Sequence, residues 1–275
     1  MSSESRYCPT CLRSVVPVAG TCPSCGLSLT GLALTRREAA IVQLPQPPDD
    51  VGALPAGYVP ETAAIDEGAY QAVRSMKRLH VIAARDKSVS MRFHGKAQES
   101  NQAHRELAQS LADEANRDGF FLSVIDFHDQ AELVIPRMRA SDALQQLKDL
   151  KTGGNGTNYV AALRLASVEA ARPHDAFEAR PVVVVLGDGR HNGPGDPRVE
   201  ARRLHSLVDV VVAVAFGSDA DEDLLRNSIA SDPRYFHRIE ESGAELRRFF
   251  RDLGRTLSYS LQTGAPAEAS LSTIQ

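Results

Sequence analysis

The chain has little net charge, few cysteines and no long apolar run. A formal charge of −4 over 275 residues gives no electrostatic basis for non-specific binding to nucleic acid or to an anionic membrane. No stretch approaches the roughly 20 consecutive apolar residues that a membrane-spanning helix needs. The opening "MSSESRYCPT" has no basic region followed by an apolar one, so no secretory signal is expected and the expected location is cytoplasmic. Apolar residues make up 43% and charged residues 24%. That is a globular balance, in a chain long enough for one large domain with attachments or for two ordinary ones.

The four cysteines all fall in the first 25 residues, as "CPTC" (Cys8, Cys11) and "CPSC" (Cys22, Cys25). Two C-x-x-C pairs can each form a tight turn that points both sulfurs inward. Four thiolates then meet one tetrahedral Zn²⁺ at about 2.3 Å. Pro9, Pro23 and Gly26 suit such turns, and a reducing cytoplasm disfavours the alternatives, two disulfides or redox-active pairs. The expectation is a zinc ribbon over 1–32. Within it Arg6 and Arg13 face one Glu4, and a zinc with four thiolates adds two negative charges. Contact with a protein is therefore expected, not nucleic acid, unless the ribbon is simply a mini-domain folded by its metal.

Residues 33–75 carry "LPQPPDDVGALPAGYVPE", with five prolines and no sustained periodicity, and read as a connector. From 76 the pattern is regular. "LHVIAA" (79–84) reads as a buried strand, and Ala103, Leu107 and Leu111 recur at four-residue steps on a helix from about 96 to 117. "GFFLSVIDF" (119–127) and "AELVIP" (131–136) read as a hairpin turning at His128–Gln130. A short helix around Ala143, Leu144 and Leu147 leads to the glycine-rich "TGGNGTN" and then to the helical "YVAALRLASVEAA". "RPVVVVLGDG" is the most apolar strand and belongs at the centre of the sheet. A helix near 197–206, a strand at 208–217, a helix around 221–230, a last strand "YFHRI" and a last helix follow, and 263–275 reads as a flexible tail. The pattern predicts an α/β fold: a doubly wound, mostly parallel sheet with one antiparallel edge strand and helices on both faces, over 76–262.

In such sheets ligands sit beyond the carboxyl ends of the strands. Three loops meet on that edge: "ARDKSVSMRF" with Asp86, Ser88 and Ser90, "GGNGTN" with Thr157, and "LGDG" with Asp188. Two carboxylates and three hydroxyls, with no histidine, cysteine or lysine in the set, suit a hard cation, Mg²⁺ or Mn²⁺, at about 2.0–2.2 Å. Neutral hydroxyls leave much of the metal's charge uncancelled, so the ion can take an outside carboxylate in exchange for water. A nucleotide site is not indicated, because the glycines lack the lysine of a phosphate-binding loop and do not follow a strand.

"DKSVSM", "GGNGT" and "LGDG", in this order and spacing, resemble the three segments of the metal-ion-dependent adhesion site of von Willebrand factor type A domains. The similarity runs over about 77–260 and includes "FGSDADEDLLRNSIASDP". The resemblance implies direct metal binding by Ser88 and Ser90, binding through water by Asp86, and binding in either way by Thr157 and Asp188. It also implies a non-enzymatic adaptor that captures an Asp or Glu of a partner protein. Intracellular bacterial members of this kind work with AAA+ ATPases, chelatases, kinase–phosphatase pairs or tellurite-resistance-like clusters, and the zinc ribbon offers a second protein contact. An acid of the connector, Asp66 or Glu67, is a candidate to close the site in cis. Arg85, Val89 and Gly187 depart from the family pattern without removing a ligand. Arg85 either weakens cation binding or pairs with Asp126 or with a partner's acid. The competing reading is a Mg²⁺-dependent hydrolase or phosphatase, for which His191 is the only candidate base. His191, Asn192 and His94 are expected at the rim, and His205 and His237 as surface or packing residues.

Overall fold

The computed structural model describes residues 6–8, 13–15, 78–116, 118–172, 180–240 and 242–271. The chain forms two compact units, Met1–Thr62 and Ala63–Gln275. In the first, β1 (Arg6–Cys8) pairs antiparallel with β2 (Arg13–Val15), setting Cys8 opposite Arg13. Cys8 is described as strand backbone only. Cys11, Cys22 and Cys25, the connector 33–75 and its Asp66 and Glu67 lie outside the described residues.

The second unit is built on a six-stranded sheet. Its strands are β3 (Leu79–Asp86), β4 (Phe120–Phe127), β5 (Ala131–Arg139), β6 (Val182–Gly187), β7 (Val210–Phe216) and β8 (Phe236–Ile239). The order across the sheet is β5-β4-β3-β6-β7-β8. Every pairing is parallel except β4 with the edge strand β5, as the hairpin reading predicts. β-Branched runs such as the four valines of β6 stiffen χ1 and suit a sheet buried on both faces, and β3, β6 and β7 are buried along their whole lengths.

Strand parity divides the core in two. Val81, Leu122, Val184 and Val212 pack on one face with Leu107 and Leu111 of α1 (Lys96–Leu111). Ile82, Ile125, Val183 and Val211 pack on the other with Leu163 and Ala166 of α3 (Tyr159–Ala170). Between these helices in the chain lies α2 (Ala140–Gln146), and α4 (Pro197–Leu207) covers the same face as α3, burying Ala201 and Leu204. Asp196 caps α4, accepting from the Arg198 N–H at 2.9 Å, with Pro197 in the first turn.

The structure departs from the sequence reading in four places. The helix expected to run to about 117 ends at Leu111, and a separate 3₁₀ turn over Glu114–Asn116 follows it. The helix expected at 221–230 is a single turn, α5 (Glu222–Leu224), followed by a π turn over Leu225–Ile229, closed by the Ala230 N–H on Leu225 O at 2.8 Å. The edge strand runs to Arg139 instead of ending at 136. The chain expected to fray from 263 does not stop there: α6 (Gly243–Thr263) ends on Gly264, which takes the left-handed conformation (φ 73°), and α7 (Ala267–Leu271) buries Ala267 and Leu271 in the core. Among the described residues, no helix is long and apolar enough to cross a membrane.

Candidate functional site

The chain goes to β4 and β5 on one side of β3, then crosses to β6 and onward on the other. This reversal opens a crevice beyond the carboxyl ends of β3 and β6, where doubly wound sheets hold their ligands. Arg85 aligns with Leu186, so Asp86 and Asp188 emerge side by side at that edge. Both are fully buried.

After Asp86 the backbone turns at once. The Ser88 N–H donates to Asp86 Oδ1 at 2.8 Å, and a 3₁₀ segment from Val89 to Gly95, kinked at Phe93 and His94, anchors itself by burying Met91. Ser88 Oγ and Ser90 Oγ lie 2.8 Å apart. Ser90 Oγ donates to Asp188 Oδ1 at 2.7 Å and Ser88 Oγ reaches the same oxygen at 3.4 Å.

The glycine loop is tied to this segment by backbone bonds. The Gly153 N–H donates to Lys87 O at 2.9 Å, and the Val89 N–H to Gly154 O at 3.2 Å. Gly154 has a φ of 83°, and a Cβ there would strike the His128 ring, so only glycine fits. The hairpin turn steadies the other end of the loop. The Asn158 N–H donates to His128 O at 2.7 Å and its side-chain amide to Asp129 O at 2.9 Å, while its Oδ1 caps α3 through the Ala161 N–H. Thr157 is held from the third loop, its N–H donating to Asn192 Oδ1 at 2.8 Å and its carbonyl accepting from the Asn192 N–H at 3.2 Å. Its hydroxyl faces Gly189, where a Cβ would lie 2.8 Å from Thr157 Oγ1 and 3.9 Å from Ser90 Oγ. All five residues singled out in the sequence therefore converge.

Burial, and then the neighbouring Asp188, push the Asp86 carboxyl up to about 7, against hydrogen bonding from Ser88 that pulls it down. Among the described residues, Asp86 Oδ2 is a buried oxygen with no hydrogen-bond partner. A buried acceptor left open costs about 1–3 kcal/mol, so the crevice asks for a cation or a proton at that oxygen. The donors, carboxylates and hydroxyls, fit a hard divalent ion, which Asp86, Ser88, Ser90, Thr157 and Asp188 would hold.

Three residues, Lys96, Tyr159 and Asp129, enter the site unannounced by the sequence reading, and Asn192, expected at the rim, takes a larger part in it. Lys96, from the first position of α1, donates from Nζ to Asp188 Oδ2 at 3.1 Å. A lysine thus joins a set expected to contain none. Tyr159 donates its hydroxyl to Gly189 O at 3.1 Å, and burial together with Asp86, Asp188 and Asp221 raises its phenol well above the usual range. This ring accounts for Gly187: a Cβ there would overlap the Tyr159 hydroxyl. Asn192, placed at the rim by its sequence position, holds Thr157 through two bonds. Asp129 accepts from the Asn155 N–H at 3.1 Å and so braces the glycine loop. For Lys96 a signal did exist, because a cation in the first turn of a helix opposes the helix dipole.

Arg85 does not face the crevice's carboxylates. Its Nε donates to Asp126 Oδ1 at 2.7 Å, with both side chains buried, and its Nη1 to Lys148 O at 3.3 Å; the first is the pairing with Asp126 named among its alternatives. His191 donates from Nε2 to Gly195 O at 3.2 Å and stacks toward Tyr159. His94 is exposed and takes a left-handed φ of 55° before α1. His205 hydrogen-bonds Ile229 O at 3.0 Å, and His237 packs on Phe249.

The von Willebrand factor type A domain family matches residues 80–252, more than half of the chain. Among solved structures, the chain is similar to proximal thread matrix protein 1 from the mussel byssus with a zinc-occupied MIDAS motif. The TM-score is 0.57 and the identity 20%, over 66% of this chain and 48% of that one. It is also similar to a von Willebrand factor type A protein from Catenulispora acidiphila, with TM-score 0.54 and 20% identity over 66% of this chain and 42% of that one. A third is the conserved hypothetical protein BatB from Bacteroides thetaiotaomicron, with TM-score 0.53 and 17% identity over 68% of this chain and 100% of that one. The chain thus spans less than half the length of the first two, and at these identities the likeness concerns the fold alone. No curated protein matches the sequence.

Proposed function

Because this chain belongs to the von Willebrand factor type A domain family, we propose that the crevice beyond β3 and β6 is a divalent-cation site that captures an acidic side chain of a partner protein. The observation that carries this reading is the convergence of Asp86, Ser88, Ser90, Thr157 and Asp188 at one edge of the sheet, with one buried oxygen of Asp86 left without a partner. Mg²⁺, or Mn²⁺ in its place, is the ion that the oxygen-only set favours. When bound, it supplies an electrophilic position for a carboxylate from outside. The protein's own part is to hold five oxygens at one edge of a rigid sheet, which costs little reorganisation on binding.

The role is binding, not catalysis. The one candidate base, His191, donates from Nε2 to Gly195 O and keeps Nδ1 as its basic atom; the three loops carry no cysteine to act as a nucleophile, which supports an adaptor over a hydrolase. The amino-terminal cysteines Cys8, Cys11, Cys22 and Cys25 form a Zn²⁺ site that makes a second protein contact, with one zinc per chain as the expected result of metal analysis. A cytoplasmic stress or signalling assembly is the setting this reading favours.

The test is affinity purification from the native host with the full chain, in Mg²⁺ and in EDTA, beside Asp86→Ala and Ser88→Ala. The expected outcome is a partner captured by the wild type in Mg²⁺ and lost in EDTA and in both variants. Capture that survives all three would show that the crevice is not the binding device.

A further inference from the structure

Nothing about helix formation asks for a lysine at the start of α1. The first turn of a helix exposes N–H groups and the positive end of its dipole, which disfavours a cation. The residue before it, Gly95, supplies no side-chain cap. Lys96 is nonetheless only 6% exposed, and its ammonium meets Asp188 Oδ2 at 3.1 Å. The far wall of this slot is Gly217, at the end of β7. A Cβ on Gly217 would come within 2.7 Å of Nζ, and its φ of 91° also favours glycine. Ser88 and Ser90 meet Asp188 through the other oxygen, Oδ1. One carboxylate is therefore gripped from two sides, by an ammonium on one and by the proposed metal-binding hydroxyls on the other.

We propose that Lys96 is a built-in counter-cation that shares Asp188 with the divalent ion and sets how tightly that ion is held. The inference rests on the metal-dependent reading of the crevice. With both carboxylates ionised, as they would be around a divalent ion, Asp86 and Asp188 with Lys96 leave one net negative charge, and without Lys96 they leave two. Charges a few ångströms apart at a partly screened site interact strongly enough to move an affinity tenfold or more. Lys96 thus keeps the metal-free crevice folded and makes the ion exchangeable. Its loss acts in opposite directions on the two states: the metal-free protein keeps an uncompensated buried pair, while the divalent ion meets a more negative site.

The experiment compares the full-length wild type with Lys96→Met, which preserves the length of the side chain, and with the polar Lys96→Gln. Mn²⁺ binding is measured by isothermal titration, and thermal unfolding is followed in EDTA and in Mn²⁺. Both variants are expected to melt below the wild type in EDTA, to bind Mn²⁺ at least tenfold more tightly, and to gain more from the ion in melting temperature. If Lys96→Met does not fold in EDTA, Lys96→Gln carries the comparison. A wild type that binds Mn²⁺ while both variants bind no more tightly would overturn the role of Lys96 and leave the metal site standing. No binding by any of the three would overturn the metal site and this inference together.

Discussion

A Cβ on Gly187 would overlap the hydroxyl of Tyr159, so a position that departs from the family pattern in the sequence is occupied from α3. Arg85 follows the same logic, since its charge is spent on Asp126 one strand away and not on the crevice. His104 yields a pH prediction. Burial, and then the nearby Arg85, push its imidazole down to about 3, so the folded chain keeps it neutral where the unfolded chain, near 6.5, takes up a proton. Its contribution is complete above 6.5 and is lost as pH falls from 6.5 towards 3, with a slope of about 1.4 kcal/mol per pH unit. In metal-free protein Asp86, raised to about 7, acts in the opposite sense: the folded state holds its proton, and stability rises as pH falls from about 7 towards 4. Urea unfolding in EDTA from pH 7 to pH 4 should therefore give wild type and His104→Leu different slopes, the variant gaining relative stability with acid. Parallel profiles would mean that His104 is protonated in the folded state.

At the scale of elements, the strands were the most legible part of the sequence. Buried apolar runs set β3, β6 and β7 within two residues of their expected ends; β6 and β7 carry no polar side chain to blur them, while β3 runs two residues past its apolar stretch, through Arg85 and Asp86. The edge strand was underread, since its exposed face alternates polar residues past Pro136 and its pairing with β4 is broken by register shifts around Val124. The π turn at Leu225–Ile229 has the composition of an ordinary helix, and it packs Leu225 and Ile229 in the core beside residues of β7 and β8. The last helix was missed because "GAPAEASLSTIQ" is short and rich in small residues, and only the tertiary contact of Leu271, which is 1% exposed, shows that it belongs to the core. Leu271→Ala should cost about 2–3 kcal/mol in denaturant unfolding. A change within experimental error would mean that α7 detaches in solution as a frayed tail would.

For the molecule as a whole, chain order does what no single residue can. Placing β3 at the centre and reversing direction after β5 brings positions 86 and 188 to one edge, a convergence the motifs announce and the sheet order explains. The supporting residues were less legible. Lys96 reaches Asp188 across 92 positions, and Tyr159 and Asn192 act by filling space or bridging loops, relations that leave no periodicity in the chain. The measurement closest to the central claim is a titration of Mn²⁺ into the full chain, followed by the electron paramagnetic resonance of the free ion. The account predicts that the wild type removes one equivalent of Mn²⁺ from solution and that Asp86→Ala, still folded, removes none. A folded wild type that leaves the free-ion signal untouched, or an Asp86→Ala variant that binds as the wild type does, would contradict it.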